Sequence, residues 1–474
     1  MHRHVLTALL VGVLVFAPAT RASAGLFGGD ITLKDEIEMG REFDKQAQSM
    51  FPMVEDPMVV DYVTGIVNRL VAAKLPMPFA VKTRVVMYPM MNAFAVPGGY
   101  IYVFTGLIDR LDSEAQLASV IAHELAHVSQ RHAIKRMEDM QAISIASLVG
   151  TLAGAFLGVA GGGHNSGQAA SALIVGSQAA SASAYLKYTM ASEREADHLG
   201  INTLTAAGYN PEAMPQTFEI MHQQLKFKGV QRDIPSYLST HPGLEERSVY
   251  LRDRISRMDP TLTGIANDNT TYDRIRALVR GRYSDAKLAS KTYEAIPEAE
   301  RTSYDWMGMG IALERQKANK QALAAFEQSL AMAPGDPLVL REAGIFFYLQ
   351  GDQQRAAPLL QKAAVLDPRD AMALYFSARL MADKKEYDSA ISTMRRVADM
   401  VPEDAEVRQH LGRILGESGD PFGGHLQLAY AALFRGDMER AGYFRGKAEA
   451  LAKTPEQKEQ LEAYDEAAGE REGS

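Results

Sequence analysis

The chain of 474 residues contains no cysteine. Disulfides, thiolate-ligated metals and a lipid anchor on an N-terminal cysteine are therefore all excluded, and any metal site must be built from histidine and carboxylate. The first 24 residues hold no acidic residue. They read as a secretory signal peptide: a basic start at Arg3, an apolar run from Val5 to Pro18, and Ala22-Ser23-Ala24 as a small-residue cleavage site. That run is short for a membrane span of about 20 residues. Removing it, with Arg3 and Arg21, takes the formal net charge from −8 to −10. An acidic balance of this size opposes nonspecific nucleic-acid binding, so no nucleic-acid partner is expected. The apolar and charged fractions, 47% and 23%, are those of a folded globular protein.

Helical spacing over Val59 to Leu75 gives way to a β-rich stretch from Ala80 to Thr105, then to long helical segments. A run rich in Pro, Gly, Asn and Thr between Met258 and Tyr272 reads as a linker. Beyond it the chain repeats every 34 residues. Small residues recur at Gly310, Gly344, Ala378 and Gly412, alanines at Ala322, Ala356 and Ala390, and prolines at Pro334, Pro368 and Pro402. Larger apolar residues fill further columns, Trp306, Leu340 and Leu374 in one, Leu313, Phe347, Met381 and Leu415 in another. This pattern resembles the tetratricopeptide repeat (TPR), in which small residues let paired helices approach closely and proline ends the second helix. The segments 272–296 and 426–467 lack the full pattern and read as degenerate or capping repeats. The expected organisation is a signal peptide at 1–24, a catalytic domain at 25–265 and a repeat domain at 266–474.

His123-Glu124-Leu125-Ala126-His127 is an HExxH motif. It lies in a segment that opens with a capping-box pattern, Ser113-x-x-Gln116, and carries an apolar stripe at Leu117, Val120, Ile121 and Val128, so the helix is expected independently of the motif. Positions four apart share a helix face, and both imidazoles can reach one ion, with Glu124 beside them to take a proton from water. A catalytic zinc takes three protein ligands and keeps one position open. His132, nine residues after His123, lies about 180° around the helix and is expected to face away from the site. Glu193 and Asp197, four apart on a helical stretch that ends at Gly208 and Pro211, suit a third ligand and a carboxylate that orients a ligand imidazole.

HExxH followed by ExxxD resembles the gluzincin peptidases, the family of the CAAX prenyl proteases and HtpX, and the combination with export and TPR units is similar to its periplasmic BepA-like branch. Further landmarks are Asn92-Ala93-Phe94-Ala95-Val96-Pro97-Gly98-Gly99 before the motif, and Ser239-Thr240-His241-Pro242 with Arg247 after the third ligand. The resemblance implies a mostly α chain: an α+β gluzincin-like metallopeptidase domain with a small β-sheet, followed by an all-α TPR solenoid. It implies one Zn2+ per chain on His123, His127 and Glu193, Glu124 as general base and Asp197 behind a ligand. It implies that Asn92, Ala93, Phe94 and Ala95 form an edge strand against which substrate pairs; from the residues alone an ordinary hairpin fits equally. His241 from the residues alone is a capping or surface histidine; by resemblance it belongs to the catalytic apparatus, as a gate over the metal or an aid to the transition state.

Residues 142–183, rich in Ala, Gly, Ser and Leu, read as a lid over the site or as a peripheral membrane contact. The expected activity is zinc-dependent endopeptidase action in the periplasm on unfolded or stalled envelope proteins, with the TPR domain engaging the outer-membrane β-barrel assembly machinery. The competing reading is a TPR scaffold or chaperone with marginal peptidase activity. A purely structural zinc is disfavoured because such sites close all four positions with protein ligands.

Overall fold

The structure is a computed structural model. It describes residues 31–73, 75–139, 188–227 and 237–473. The signal-peptide and lid expectations, on residues 1–24 and 142–183, lie outside the described residues. No helix among the described residues is long and apolar enough to cross a membrane.

Helix α1 (Leu33–Met50) is started by a capping box in which Thr32 and Asp35 bond reciprocally. Helix α2 (Pro57–Ala72) begins with Asp56 capping Met58 N and with proline in its first turn, where no amide hydrogen is needed. The β-rich stretch forms β1 (Lys82–Val86), β2 (Ala93–Val96) and β3 (Tyr100–Phe104). Their order is β1-β3-β2, with β1 parallel and β2 antiparallel to β3. β2 and β3 form a hairpin through Pro97-Gly98-Gly99, and β2 is also an edge of the sheet. Asn92 precedes the strand, its carbonyl accepting from Phe104 N at 3.0 Å. Gly98 has φ +81°, and a Cβ there would lie 2.6 Å from Glu36 O, so glycine is required where the turn meets α1.

Short helix α3 (Thr105–Arg110) leads into α4 (Glu114–Ser129), which carries the HExxH motif. Ser113 Oγ accepts from Gln116 N, but the Gln116 side chain accepts from Asp112 N at 2.7 Å, one residue short of closing the expected box. Every residue of α4 from Ala115 to Val128 is buried, so the helix is central to its domain and not merely striped. Around it follow α5 (His132–Asp139), α6 (Met190–Ala206), α7 (Ala213–Phe227), the single turn α8 (Tyr237–Thr240) and α9 (Leu244–Ile255).

The Met258–Tyr272 stretch contains a helical turn, α10 (Pro260–Thr263), and is tied back by Asn210 Nδ2, which donates to Thr263 O at 2.8 Å. Helix α11 (Thr270–Tyr283) then packs into the first domain: buried Tyr272 donates to Ile108 O at 2.8 Å, and Arg280 pairs with Asp109. After α12 (Ala286–Glu294) the repeats run as helix pairs: α13 and α14 (Ser303–Arg315, Asn319–Met332), α15 and α16 (Pro337–Leu349, Gln353–Leu366), α17 and α18 (Ala371–Asp383, Tyr387–Met400), and α19 and α20 (Ala405–Ser418, Pro421–Phe434). Helices α21 (Met438–Leu451) and α22 (Pro455–Gly473) follow. A Cβ on Gly344 would approach Leu360 Cγ to 2.8 Å, which is why that column is small. Pro334, Pro368 and Pro402 each stand two residues beyond the end of a second helix.

One apolar core runs from Val59 in α2 through α4 and α11 to Leu411 in α19. The two halves also share a buried ion cluster. Arg341 on α15, fully buried, lies 3.0 Å from Asp56, 2.8 Å from Glu342 and 3.3 Å from Asp370, and Arg282 pairs with Glu342. Flanking it are two cavities of about 380 and 280 Å³ between residues 53–62 and the repeat helices, the second lined by Met53, Glu55, Met87, Phe376, Asp404 and Glu406 among others.

Candidate metal centre

His123 and His127 project from the middle of α4, and α6 lies against that face. Gly200 of α6 sits over the His123 backbone, where a Cβ would be 3.3 Å from His123 N, so the two helices approach closely enough for α6 carboxylates to reach α4 imidazoles. His123 Nε2 and His127 Nε2 are 3.0 Å apart. Glu193 Oε2 is 3.5 Å from the first and Glu193 Oε1 3.4 Å from the second.

A fourth donor joins them. His241 Nδ1 lies 3.1 Å from Glu193 Oε1 and 3.3 Å from His123 Nε2. It is placed by α8, with its amide donating to Tyr237 O at 2.9 Å and its ring stacked on Tyr237 at 4.2 Å. The turn after it uses Gly243 at φ +78°. His123, His127, Glu193 and His241 are all buried, and one ligand atom from each lies within 4.8 Å of the others.

The other ring nitrogens are held too. His123 Nδ1 is 3.0 Å from Asp197 Oδ1. Asp197 is clamped by Arg247, whose Nε and Nη2 donate to its two oxygens at 2.8 and 2.7 Å, and by Tyr250. Arg247, wholly buried, also donates to Glu193 and lies over the Phe218 ring. His127 Nδ1 is 2.8 Å from His132 Nδ1, and Tyr188 stacks on the His127 ring at 3.8 Å.

Burial opposes the charged form of every group here, and the local partners decide which groups ionise. Burial lowers the His123 pKa, but Asp197 and Glu193 outweigh it and lift it to about 9. His127, with burial dominant, falls well below the usual histidine range. Against burial, His241, His123 and His127 hold the Glu193 carboxyl below the carboxylate range, and Arg247 and His123 do the same for Asp197. Burial raises Glu124. Its Oε1 makes no hydrogen bond among the described residues and lies 3.4 Å from His241 Nε2.

The donor set fits a metal ion. The Nε2 atoms of two imidazoles and an ionised carboxylate converge, both imidazoles have their far nitrogen engaged, and a neighbouring carboxylate has an oxygen without a hydrogen bond among the described residues. Residues 93–95 of the expected edge strand are not in this cluster. The C-terminal end of β2 borders it, since Ala95, Val96 and Pro97 line a narrow cleft with His127 and Tyr188.

Arg247, Tyr237, His132, Tyr188 and Tyr250 belong to the site without being assigned to it by the sequence. In the sequence Arg247 is a landmark only; the signal for its role is a pair of carboxylates on one helix face, which burial obliges to find a cation. Tyr237 precedes His241 by one helical turn. His132 was expected to face away, and the structure corrects this: α4 ends at Ser129, Arg131 takes φ +54°, and the chain turns His132 back against His127.

Residues 60–255 match the family model described as Peptidase family M48, and residues 307–371 and 347–414 match models described as Tetratricopeptide repeat. The Beta-barrel assembly-enhancing protease of Escherichia coli (strain K12) is 30% identical over 317 residues, which cover 65% of this chain and 62% of that protein, under two thirds of its length. The protein of the same name from Yersinia pestis is 27% identical over 382 residues, covering 80% of this chain and 76% of its own. The Mitochondrial metalloendopeptidase OMA1 of Schizosaccharomyces pombe is 27% identical over 223 residues, covering 46% and 60%. With the buried HExxH constellation inside the first match and helix pairs throughout the others, the chain carries a peptidase family M48 domain followed by tetratricopeptide repeats.

Proposed function

We propose that the protein is an exported, periplasmic zinc-dependent endopeptidase that acts on unfolded or misassembled envelope proteins, and that its repeats bring it to outer-membrane protein assembly. The observation that carries this reading is the buried convergence of His123, His127 and Glu193 with Glu124 on the same helix. His123, His127 and Glu193 would hold one zinc ion. When bound there, zinc would supply polarisation of a scissile carbonyl and a water with its pKa lowered to about 7. Glu124, its carboxyl raised by burial and one oxygen free, takes a proton from water and returns it to the leaving amine. Asp197 fixes His123 in the tautomer that presents Nε2, and Arg247 pairs with both Asp197 and Glu193.

An extended substrate pairs with the β2 edge, Asn92 to Ala95 and on to Val96, whose far end lies beside His127. The E. coli and Y. pestis relatives, named for β-barrel assembly, support the client class, and the cavities between the repeats and residues 53–62 offer a surface for a partner protein. The domain boundary near residue 265 is kept as a division of roles.

A second reading, a scaffold or chaperone with marginal peptidase activity, is favoured by one feature. His241 supplies a fourth donor, and a site closed by four protein ligands has no open position for water. Metal analysis with casein digestion, with and without chelator, tests the first reading, and Glu124→Gln separates the two. The variant should keep zinc and fold while losing cleavage and function in cells; full function in cells with cleavage abolished would establish the scaffold.

A further inference from the structure

We propose that His132 is a positioning residue of the metal centre, holding His127 in the orientation and tautomer in which it binds the ion, and that Glu195 holds His132 in turn. The inference rests on the reading of His127 as a ligand.

The backbone is arranged to bring His132 in. An α-helix continued past Ser129 would carry residue 132 to the far side of α4. Instead Arg131 takes φ +54°, a conformation that a side chain with a Cβ adopts at a cost. Long-range contacts hold it there: the Arg131 guanidinium bonds Glu36 and donates to Ile31 O at 2.6 Å, both from the N-terminal segment. The result is a histidine only 4% exposed, with Nδ1 2.8 Å from His127 Nδ1.

Proton accounting gives the contact a direction. His127 turns Nε2 toward His123 and Glu193, so as a ligand it carries its single proton on Nδ1 and donates it. His132 Nδ1 must then be the acceptor, and the one proton of neutral His132 sits on Nε2. That nitrogen is 3.2 Å from Glu195 Oε2, an acceptor. One set of tautomers satisfies all three groups, running from His127 to His132 to Glu195.

The two ligand histidines are thus backed differently. His123 leans on Asp197, a buried carboxylate clamped by Arg247 and Tyr250. His127 leans on a neutral imidazole, which passes the bond to a carboxylate whose side chain is 53% exposed. Helix α6 supplies all three carboxylates: Glu193 for the metal, Asp197 behind His123, and Glu195 behind His132. A partner at the far nitrogen of a ligand histidine fixes its ring and raises its basicity, and losing such a partner typically costs about 10-fold to 100-fold in metal affinity.

The test measures zinc affinity of the full chain by competition with a chromophoric chelator, and the absorption bands of the Co2+-substituted protein, with circular dichroism as the check on folding. His132→Phe, which keeps a ring and removes the acceptor, should lower affinity by about 10-fold to 100-fold and shift the Co2+ bands. His132→Gln, whose side chain can both accept and donate, should recover most of the affinity and the native bands. Glu195→Leu should cost only a few-fold, because water can replace a half-exposed carboxylate. Should His132→Phe fail to fold, His132→Ala against His132→Gln makes the same comparison. Native affinity and bands in His132→Phe, with metal lost in His123→Ala, would overturn the role of His132 and leave the metal reading intact. Native affinity in both variants would overturn the metal reading and this inference with it. Equal losses in His132→Phe and His132→Gln would make His132 a packing residue.

Discussion

Replacing Arg341 by methionine should loosen the peptidase half from the repeats. Arg341 is fully buried, and its guanidinium is shared among Asp56, Glu342 and Asp370, each 5% exposed or less. Methionine conserves much of the volume, so the cavity contribution is small. What remains is three buried carboxylates, of which Glu342 keeps an ion pair with Arg282. Stripping one partner from a buried ion cluster costs about 3–5 kcal/mol, a large part of the 5–15 kcal/mol that holds a typical domain together. At a urea slope of about 3 kcal/mol per molar the unfolding midpoint should fall by at least about 1 M. Asp56→Asn isolates the contact between the halves, because asparagine still caps Met58 N while losing its charge. In that background Arg341→Met should cost less by about 1–3 kcal/mol. Urea unfolding of the four proteins, followed by circular dichroism, measures this, and a transition that splits in two would show the halves released from each other. A single substitution costing under about 1 kcal/mol, or effects additive within about 0.5 kcal/mol, would show that the cluster does not join the domains.

Ala at His123, His127 or Glu193 should greatly lower zinc occupancy, measured by elemental analysis, and Asp197→Ala should cost about 10-fold to 100-fold in affinity; full occupancy in Glu193→Ala would remove it from the ligand set. His241→Ala should keep its zinc and show raised or deregulated proteolysis, including self-cleavage, whereas severely reduced cleavage with normal zinc would assign the imidazole to the developing oxyanion. His410 on α19 has its pKa held down to about 4 by burial and by Arg379 and Arg413, against an ordinary 6.5. As pH falls below 6.5 the unfolded chain takes up a proton that the folded chain refuses until about 4. Stability is therefore complete above 6.5 and is lost between 6.5 and 4, by at most about 3 kcal/mol. Thermal melts across that range should show a steeper loss than in His410→Gln; parallel curves would show that His410 does not contribute.

The HExxH helix was legible because motif, cap and apolar spacing all speak of one local element, and the repeats because three residue columns shared one period. The placement of His132 is hidden from the sequence for a specific reason. Counting 100° per residue presumes that the helix goes on, and nothing in Ser129-Gln130-Arg131 announces a left-handed residue that depends on Glu36 and Ile31, about a hundred positions earlier. Arg247 and Arg341 were illegible as buried residues because arginine on a helix ordinarily faces water. Their burial follows from carboxylates distant in sequence: for Arg247, Glu193 and Asp197; for Arg341, Asp56. The linker was only half readable. Its composition marks a turn-rich stretch, but the docking of Tyr272 against α3 depends on tertiary packing.

Strand β2 is four residues long, about 13 Å of extended chain. On the proposed pairing it offers main-chain hydrogen bonds to a passing segment and little else. A segment can use that edge only while its own amides and carbonyls are unpaired, and for a strand of a β-barrel this ends when it joins its neighbours. Side-chain identity adds little to such pairing. What separates a client from a bystander is then a duration, the dwell time in the extended state compared with the time needed to meet the edge and be cut. On the proposed function, proteins that assemble quickly would escape and those that stall would be taken. A protein made to assemble more slowly should become a substrate with its cleaved segment unaltered.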